Sequence, residues 1–295
     1  MIGVSPSYIV ITPVRNEGQY LQSTIDSVVA QTLRPRMWVI VDDGSTDDTG
    51  KLIDAAARRH SWIKVVHRPD RGFRKQGGGV IEAFDDGFKL VAGESWDFLV
   101  KLDGDLSFER DYFENCLGHF AADPKLGVGG GSIYSKVDGI TVEDSPGDPS
   151  FHVRGATKIY RRAAWDAIGG LIQAPGWDSL DELKANMLGW NTRSFRDLRL
   201  FQHRGTGAVD GTWKTSVKNG RANYVVGYHP LFMICKCARR LLGWPYGVVA
   251  AGLLYGYLSG YFSSTERIRE PDVISYVRRE QLRRLFLRES IWAQK

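Results

Sequence analysis

Apolar runs and amphipathic stretches alternate along the first 135 residues. Tyr8-Ile9-Val10-Ile11-Thr12 and Met37-Trp38-Val39-Ile40-Val41 are short and continuously apolar, the pattern of strands buried on both faces. Between them, residues 18–31 place Leu21, Ile25, Val28 and Val29 on one side of a helix. A second helix is predicted from about Thr46 to Arg59, a third strand over 62–67, a third helix over 77–92 and a fourth strand over 97–102. Strands alternating with helices at this spacing predict a doubly wound, mainly parallel, Rossmann-like α/β sheet with helices on both faces. Ligands in such sheets gather beyond the carboxyl ends of the strands. Three polar clusters follow strand ends here: Pro13 to Glu17, Asp42 to Ser45 and Asp103 to Asp105. They are expected to meet on one rim.

The pattern then changes. Gly139 to Phe151 is rich in Asp, Pro and Gly and reads as a loop. A helix is expected near Ser179, with Glu182 completing an S-x-x-E capping box, ending near Gly189. After a strand-like Leu198 to Phe201 and His203, the stretch Gly205 to Lys218 reads as a Gly- and Lys-rich loop. From Leu241 to Thr265 no residue is charged, a length that meets the roughly 20 apolar residues of a span. Pro245, five glycines and four tyrosines dilute it. A helical hairpin or a helix lying in the interface therefore fits better than a full span, with a buried helix pair as the other reading. Residues 273–288 form a basic amphipathic helix suited to an anionic leaflet or to solvent. Residues 1–225 are expected to form one α/β unit in two halves, 1–135 and 136–225, with 226–295 a helical, aromatic-rich extension in membrane contact.

Composition narrows the classes. Hydrophobic residues make up 43% and charged residues 25% of 295, which argues for a folded chain. The net charge of +5 allows anionic membranes, phosphorylated ligands or nucleic acid, but no nucleic-acid-binding motif is present. Cys116, Cys235 and Cys237 give neither a disulfide framework nor zinc spacing. With no signal-peptide pattern before Tyr8, a cytoplasmic protein is expected.

Asp103-Gly104-Asp105 is the sharpest chemical feature. Two carboxylates around one small residue at a strand end can approach a single magnesium or manganese ion, with phosphates completing the shell. Gly104 lets a diphosphate come close to the backbone. Asp42 can accept a hydrogen bond from a base imide or a ribose hydroxyl, while Asp43 or Ser45 can cap the next helix. Arg15 can meet a phosphate or pair with Glu17.

Taken together, Ile11-Thr12-Pro13-Val14-Arg15-Asn16-Glu17, Val39 to Asp47 and Leu102-Asp103-Gly104-Asp105 resemble the motifs of a family 2 glycosyltransferase over residues 8–205. The resemblance implies a GT-A fold, an inverting mechanism and a nucleoside-diphosphate sugar, UDP-type first, bound through a divalent cation (Mn or Mg). It assigns Pro13, Arg15 and Glu17 to the nucleotide loop and Asp42 to the base. Asp105 becomes the main metal ligand and Asp103 the sugar-side carboxylate, with Asp103 and His203 as further candidate ligands. Arg74 and Lys75, in a loop that departs from the family's Asn/Gly pattern, are candidate phosphate contacts. The catalytic base is expected at Asp178, with Asp181 as rival and Glu182 as the cap.

The Q-x-x-R-W motif of processive synthases in that family is absent, so the resemblance implies transfer of a single sugar rather than polymer synthesis. The expected acceptor is a glycan or lipid-linked glycan in cell-surface or exopolysaccharide assembly, met at the inner face of the membrane. The alternatives are a polyprenyl-phosphate glycosyl synthase, which needs no strong base, and a non-catalytic sugar-nucleotide-binding scaffold.

Overall fold

A computed structural model of the chain describes residues 6–73, 78–137, 139–204, 211–243 and 245–293. In chain order the first elements are β1 (Tyr8–Val14), α1 (Leu21–Val29), β2 (Met37–Asp42), α2 (Thr49–Arg59), β3 (Ile63–His67), α3 (Gly79–Lys89), β4 (Phe98–Leu102), β5 (Leu106–Phe108) and α4 (Tyr112–Ala122). There follow β6 (Leu126–Val137), β7 (Ile140–Glu143), β8 (Thr157–Arg161), α5 (Arg162–Ile168), α6 (Trp177–Met187) and β9 (Asn191–Gln202). The last helices are α7 (Gly211–Val225), α8 (Pro230–Ala238), α9 (Val248–Phe262) and α10 (Pro271–Leu285).

The strands join one sheet in the order β3-β2-β1-β4-β8-β6-β9-β5, with β7 beside β6. β3, β2, β1 and β4 are parallel, as the sequence predicts. Beyond β4 the pairing turns antiparallel except between β6 and β9, so the sheet is parallel-rich in its first half and mixed in its second.

Alternation along the buried strands builds two cores. Tyr8, Val10, Trp38 and Ile40 meet Ile25, Ile53 and Phe113 on one face. Ile9, Ile11, Val39 and Val41 meet Phe84 and Trp165 on the other. Helices on both faces bury the strands entirely, which is why they read as continuous apolar runs. A third core joins Leu183 of α6 to Val225, Met233, Leu253, Val273 and Val277. Val273 and Val277 of the amphipathic face of α10 are thus buried inside the protein, whereas Phe286 just beyond the helix stays exposed.

Several expectations need correction. α6 begins at Trp177, capped by Gly176 in the left-handed region (φ 83°) without any side-chain cap. Ser179 lies inside the helix, so the capping box does not form. Residues 140–143 form a strand rather than loop. Of the predicted loop Gly205 to Lys218, residues 205–210 lie outside the described residues, whereas Gly211 onward is the 15-residue helix α7. Its glycine has a packing purpose. A Cβ at Gly220 would run into the carbonyl of Leu253 on α9, so two backbones touch where no hydrophobic period is needed. Among the described residues no helix is long and apolar enough to cross a membrane. α9 covers only the middle of the uncharged stretch.

Candidate active site

The three polar clusters do meet at the ends of β1, β2 and β4. The Asp43 N–H donates to the Val14 carbonyl at 2.8 Å, and Arg15 donates to the Asp43 carbonyl. Asn16, at φ 54° a non-glycine in the left-handed region, donates its N–H to Ser45 Oγ and accepts from the Thr46 N–H. Such a conformation costs of order 1 kcal/mol and persists where surrounding contacts fix it. Pro13 is buried in β1, in register with Val41, and contributes shape rather than a polar group.

The carboxylates of the second cluster divide. Asp42 accepts from the Ser45 N–H at 2.8 Å and stands 3.2 Å from His67 Nδ1, so it is used within its own turn. Asp43 faces the cations, gripped by Arg68 at 2.5 Å and by both terminal nitrogens of Arg71 at 3.0 and 2.5 Å. Arg15 pairs with Asp70 at 2.7 Å, not with Glu17. Glu17 accepts instead from Arg204, at 2.7 Å, which also donates to the Asn16 carbonyl and lies over the Tyr20 ring. Arg74 and Lys75 lie outside the described residues. From sequence Asp43 has only a capping role and Arg71 only a place in the basic loop, and Arg68 and Arg204 carry no role. A basic run from Arg68 to Arg74 was the available signal for two of them, and nothing in sequence pairs position 204 with 17.

Between β4 and β5, Asp103 is half-buried and takes the ammonium of the buried Lys101. Lys101 also donates to the Gly155 carbonyl at 2.5 Å. Asp105 is buried: one oxygen accepts from Gln202 Nε2 at 3.1 Å, and the other, Oδ1, is buried with no partner among the described residues. Desolvation, and then the charge of Asp103, raise its carboxyl to about 6. Gly104 is required by packing, because a Cβ there would lie 2.6 Å from Val14 Cγ1. His203 lies opposite, its N–H on the Asp105 carbonyl at 2.8 Å, but its ring meets Ser107 Oγ at 2.9 Å. Among the described residues no three His, Cys, Asp or Glu side chains form a ready cation cage. The pair Asp103 and Asp105 nevertheless suits a hard divalent cation. An orphaned buried carboxylate oxygen beside a second carboxylate is the arrangement that a cation relieves.

α6 carries the acidic cluster Asp178, Asp181 and Glu182. Asp181 and Glu182 point inward to the fully buried Lys158. Its ammonium lies 2.8 and 3.0 Å from the Asp181 oxygens and 2.7 Å from Glu182. Tyr160 donates to Asp181, the Val153 N–H donates to Glu182 at 2.7 Å, and His152 Nδ1 is 2.9 Å from Glu182. Both acids are structural members of a closed network, and Glu182 caps nothing. Asp178 differs: it is half-buried, and among the described residues its carboxylate accepts no hydrogen bond and makes no ion pair. Lys158 holds its backbone carbonyl. A Cβ at Gly155 would lie 3.0 Å from Asp178 Cβ. Asp178 is thus tied to Asp103 through Gly155 and Lys101. The Trp177 ring lies between the two lysines, 5.2 Å from Lys101 Nζ and 5.8 Å from Lys158 Nζ.

Comparison with known proteins gives the family and the fold. The profile of "Glycosyl transferase family 2" covers residues 9–161. A Staphylococcus aureus poly-beta-1,6-N-acetyl-D-glucosamine synthase is 28% identical over 113 residues, 38% of this chain and 25% of the synthase. The chain spans about a quarter of the length of such curated relatives. Among solved structures, the mannosyltransferase PcManGT from Pyrobaculum calidifontis, with GDP-Man and Mn2+, superposes with TM-score 0.55 at 18% identity, over 97% of this chain and 77% of that one. S. aureus TarS residues 1–349 with UDP-GlcNAc give 0.53 at 16%, over 92% and 79%. The likeness to both is one of fold.

Proposed function

The chain belongs to the family 2 glycosyltransferases, and on that premise we propose that it moves a single sugar, with inversion, from a nucleoside-diphosphate sugar to an acceptor hydroxyl. The observation that supports this is the proximity of Asp178, whose carboxylate accepts no hydrogen bond among the described residues, to the half-satisfied Asp103–Asp105 corner, to which Gly155 and Lys101 connect it.

Inversion in one displacement needs a base on the acceptor side and charge neutralisation on the leaving-group side. Asp178 takes the acceptor hydroxyl's proton. Its backbone is fixed by Lys158, so its orientation is set before substrate arrives. Asp181 shares three hydrogen bonds with Lys158 and Tyr160 and is not free to approach an acceptor. Asp105, with Asp103 beside it, would hold a manganese or magnesium ion, which supplies positive charge to the departing diphosphate. His203 as a further ligand would need its ring turned away from Ser107. Arg15, Glu17 and the Asp43–Arg68–Arg71 group bind the nucleotide, with Arg74 and Lys75 as further phosphate contacts. Asp42 acts through the turn it holds. Burial of the Asp105 carboxylate favours charge neutralisation there over hydration.

UDP is the first donor to test, since the TarS structure holds UDP-GlcNAc; PcManGT holds GDP-Man with Mn2+. The acceptor is proposed to be a glycan or lipid-linked glycan of cell-surface or exopolysaccharide assembly, as the name of the synthase relative suggests. Peripheral contact with the inner face of the membrane belongs to the same proposal.

The test is nucleoside-diphosphate release from a panel of nucleotide sugars with manganese, comparing the wild-type protein with Asp178→Asn. One donor should be turned over, and the variant should bind it but not transfer. Release from no donor overturns the reading. Undiminished transfer in the variant points instead to a phosphate acceptor, as a polyprenyl-phosphate glycosyl synthase requires.

A further inference from the structure

The structure assigns the membrane contact to one place, a plate formed by α7 and α9, and we propose that this plate lies flat on an anionic lipid surface. This specifies the peripheral contact proposed above.

α9 is uncharged along its length and uses its glycines inward. Cβ atoms at Gly256 and Gly260 would strike the Val217 carbonyl and the Tyr224 ring of α7. The opposite side carries Leu254, Leu258 and Phe262, four apart, with Tyr255 beside them, and Tyr255 is 61% and Phe262 90% exposed. Such a stripe on a helix of 15 residues is about 22 Å long, short of the roughly 30 Å of a bilayer core. It suits the interface instead.

α7 supplies the charge. Lys214, Lys218 and Arg221 are exposed along one side of it, and neither helix contains an acidic residue. Two contacts place this basic row beside the apolar stripe. Trp213 packs on Tyr255 with ring centroids 6.1 Å apart, and Arg221 reaches Ser259 Oγ at 3.4 Å. At the far end Arg267 lies over Tyr261, 5.2 Å from its centroid. Apolar and aromatic side chains bordered by cations match an anionic leaflet, where headgroup phosphates meet the row and acyl chains meet the stripe. A second copy packed face to face would set the same cations against each other.

Flotation of the full chain with phosphatidylcholine vesicles, with and without phosphatidylglycerol, tests this. The protein should float with the anionic vesicles and stay down with phosphatidylcholine alone. The triple variant Lys214→Gln, Lys218→Gln, Arg221→Gln should partition on the order of a hundredfold more weakly. The variant Leu254→Gln, Tyr255→Ser, Leu258→Gln, Phe262→Ser should not float at all. Donor turnover measured without vesicles, together with thermal unfolding, confirms that each variant is folded and keeps the proposed activity separate from the lipid result. Flotation unchanged in either variant overturns the proposal. So does equal flotation on both vesicles, or a dimer in sedimentation that the apolar variant abolishes.

Discussion

Arg204 donates to Glu17 at 2.7 Å, joining the end of the last strand to the first loop across 187 positions of sequence. The same guanidinium holds the Asn16 carbonyl. The left-handed Asn16 is therefore fixed from both sides, by Ser45 and Thr46 on one and by Arg204 on the other.

Removing that clamp should loosen the nucleotide loop without unfolding the protein. Charge-assisted hydrogen bonds contribute roughly 1.5–3 kcal/mol each, so Arg204→Ala should raise the donor KM about tenfold or more. Steady-state kinetics and a melting curve check this. An unchanged KM would show that the contact is incidental.

Asp178 and Asp181 should separate cleanly. Asp178→Asn should cut kcat by roughly 10²–10⁴-fold, the usual worth of a positioned base, with nucleotide affinity and melting temperature near those of the wild type. Calorimetric binding alongside transfer assays gives the split. Loss of nucleotide binding in this variant would move Asp178 from base to binding residue.

Lys158 neutralises two buried acids at once. Lys158→Met takes the ammonium from both, leaving Asp181 only Tyr160 and backbone and Glu182 only His152 and backbone, and breaking a buried pair costs about 3–5 kcal/mol. At about 2–4 °C per kcal/mol for a chain of this size, the melting temperature should fall by roughly 6–20 °C. A fall of only a degree or two would mean that the network does not hold the α6 region in place.

Much of this was legible beforehand, and what was not has physical causes. Strands β1, β2 and β4 bury both faces, so their apolar runs are unambiguous, and polar residues at their ends mark the rim. α7 was read as loop because its packing on α9 works through Gly220 rather than through apolar side chains. The inward turn of Asp181 and Glu182 depends on Lys158 and His152, some 20 to 30 positions away, and no local pattern announces it. Asp42 and Asp43 are adjacent carboxylates in sequence. Only the fold shows that the first serves its own turn and the second meets Arg68 and Arg71.

His152 supplies a pH signature. Burial alone would lower its pKa, but the Glu182 carboxylate, helped by Asp178 and Asp148, leaves it raised. A raised folded value means that the His152–Glu182 pair stabilises fully below the unfolded value of about 6.5. That contribution is lost as pH climbs through the folded value. NMR titration should find the His152 midpoint above 6.5, and Glu182→Gln should lower it. A midpoint at or below 6.5 in the wild type would contradict the pairing.

The most direct test is donor turnover with manganese, with magnesium and with chelator, in the wild-type protein and in Asp105→Asn. The metal-assisted account predicts turnover in the wild type that chelator abolishes and added manganese restores, and none above background in the variant. Turnover unaffected by chelator, or intact in Asp105→Asn, would contradict it.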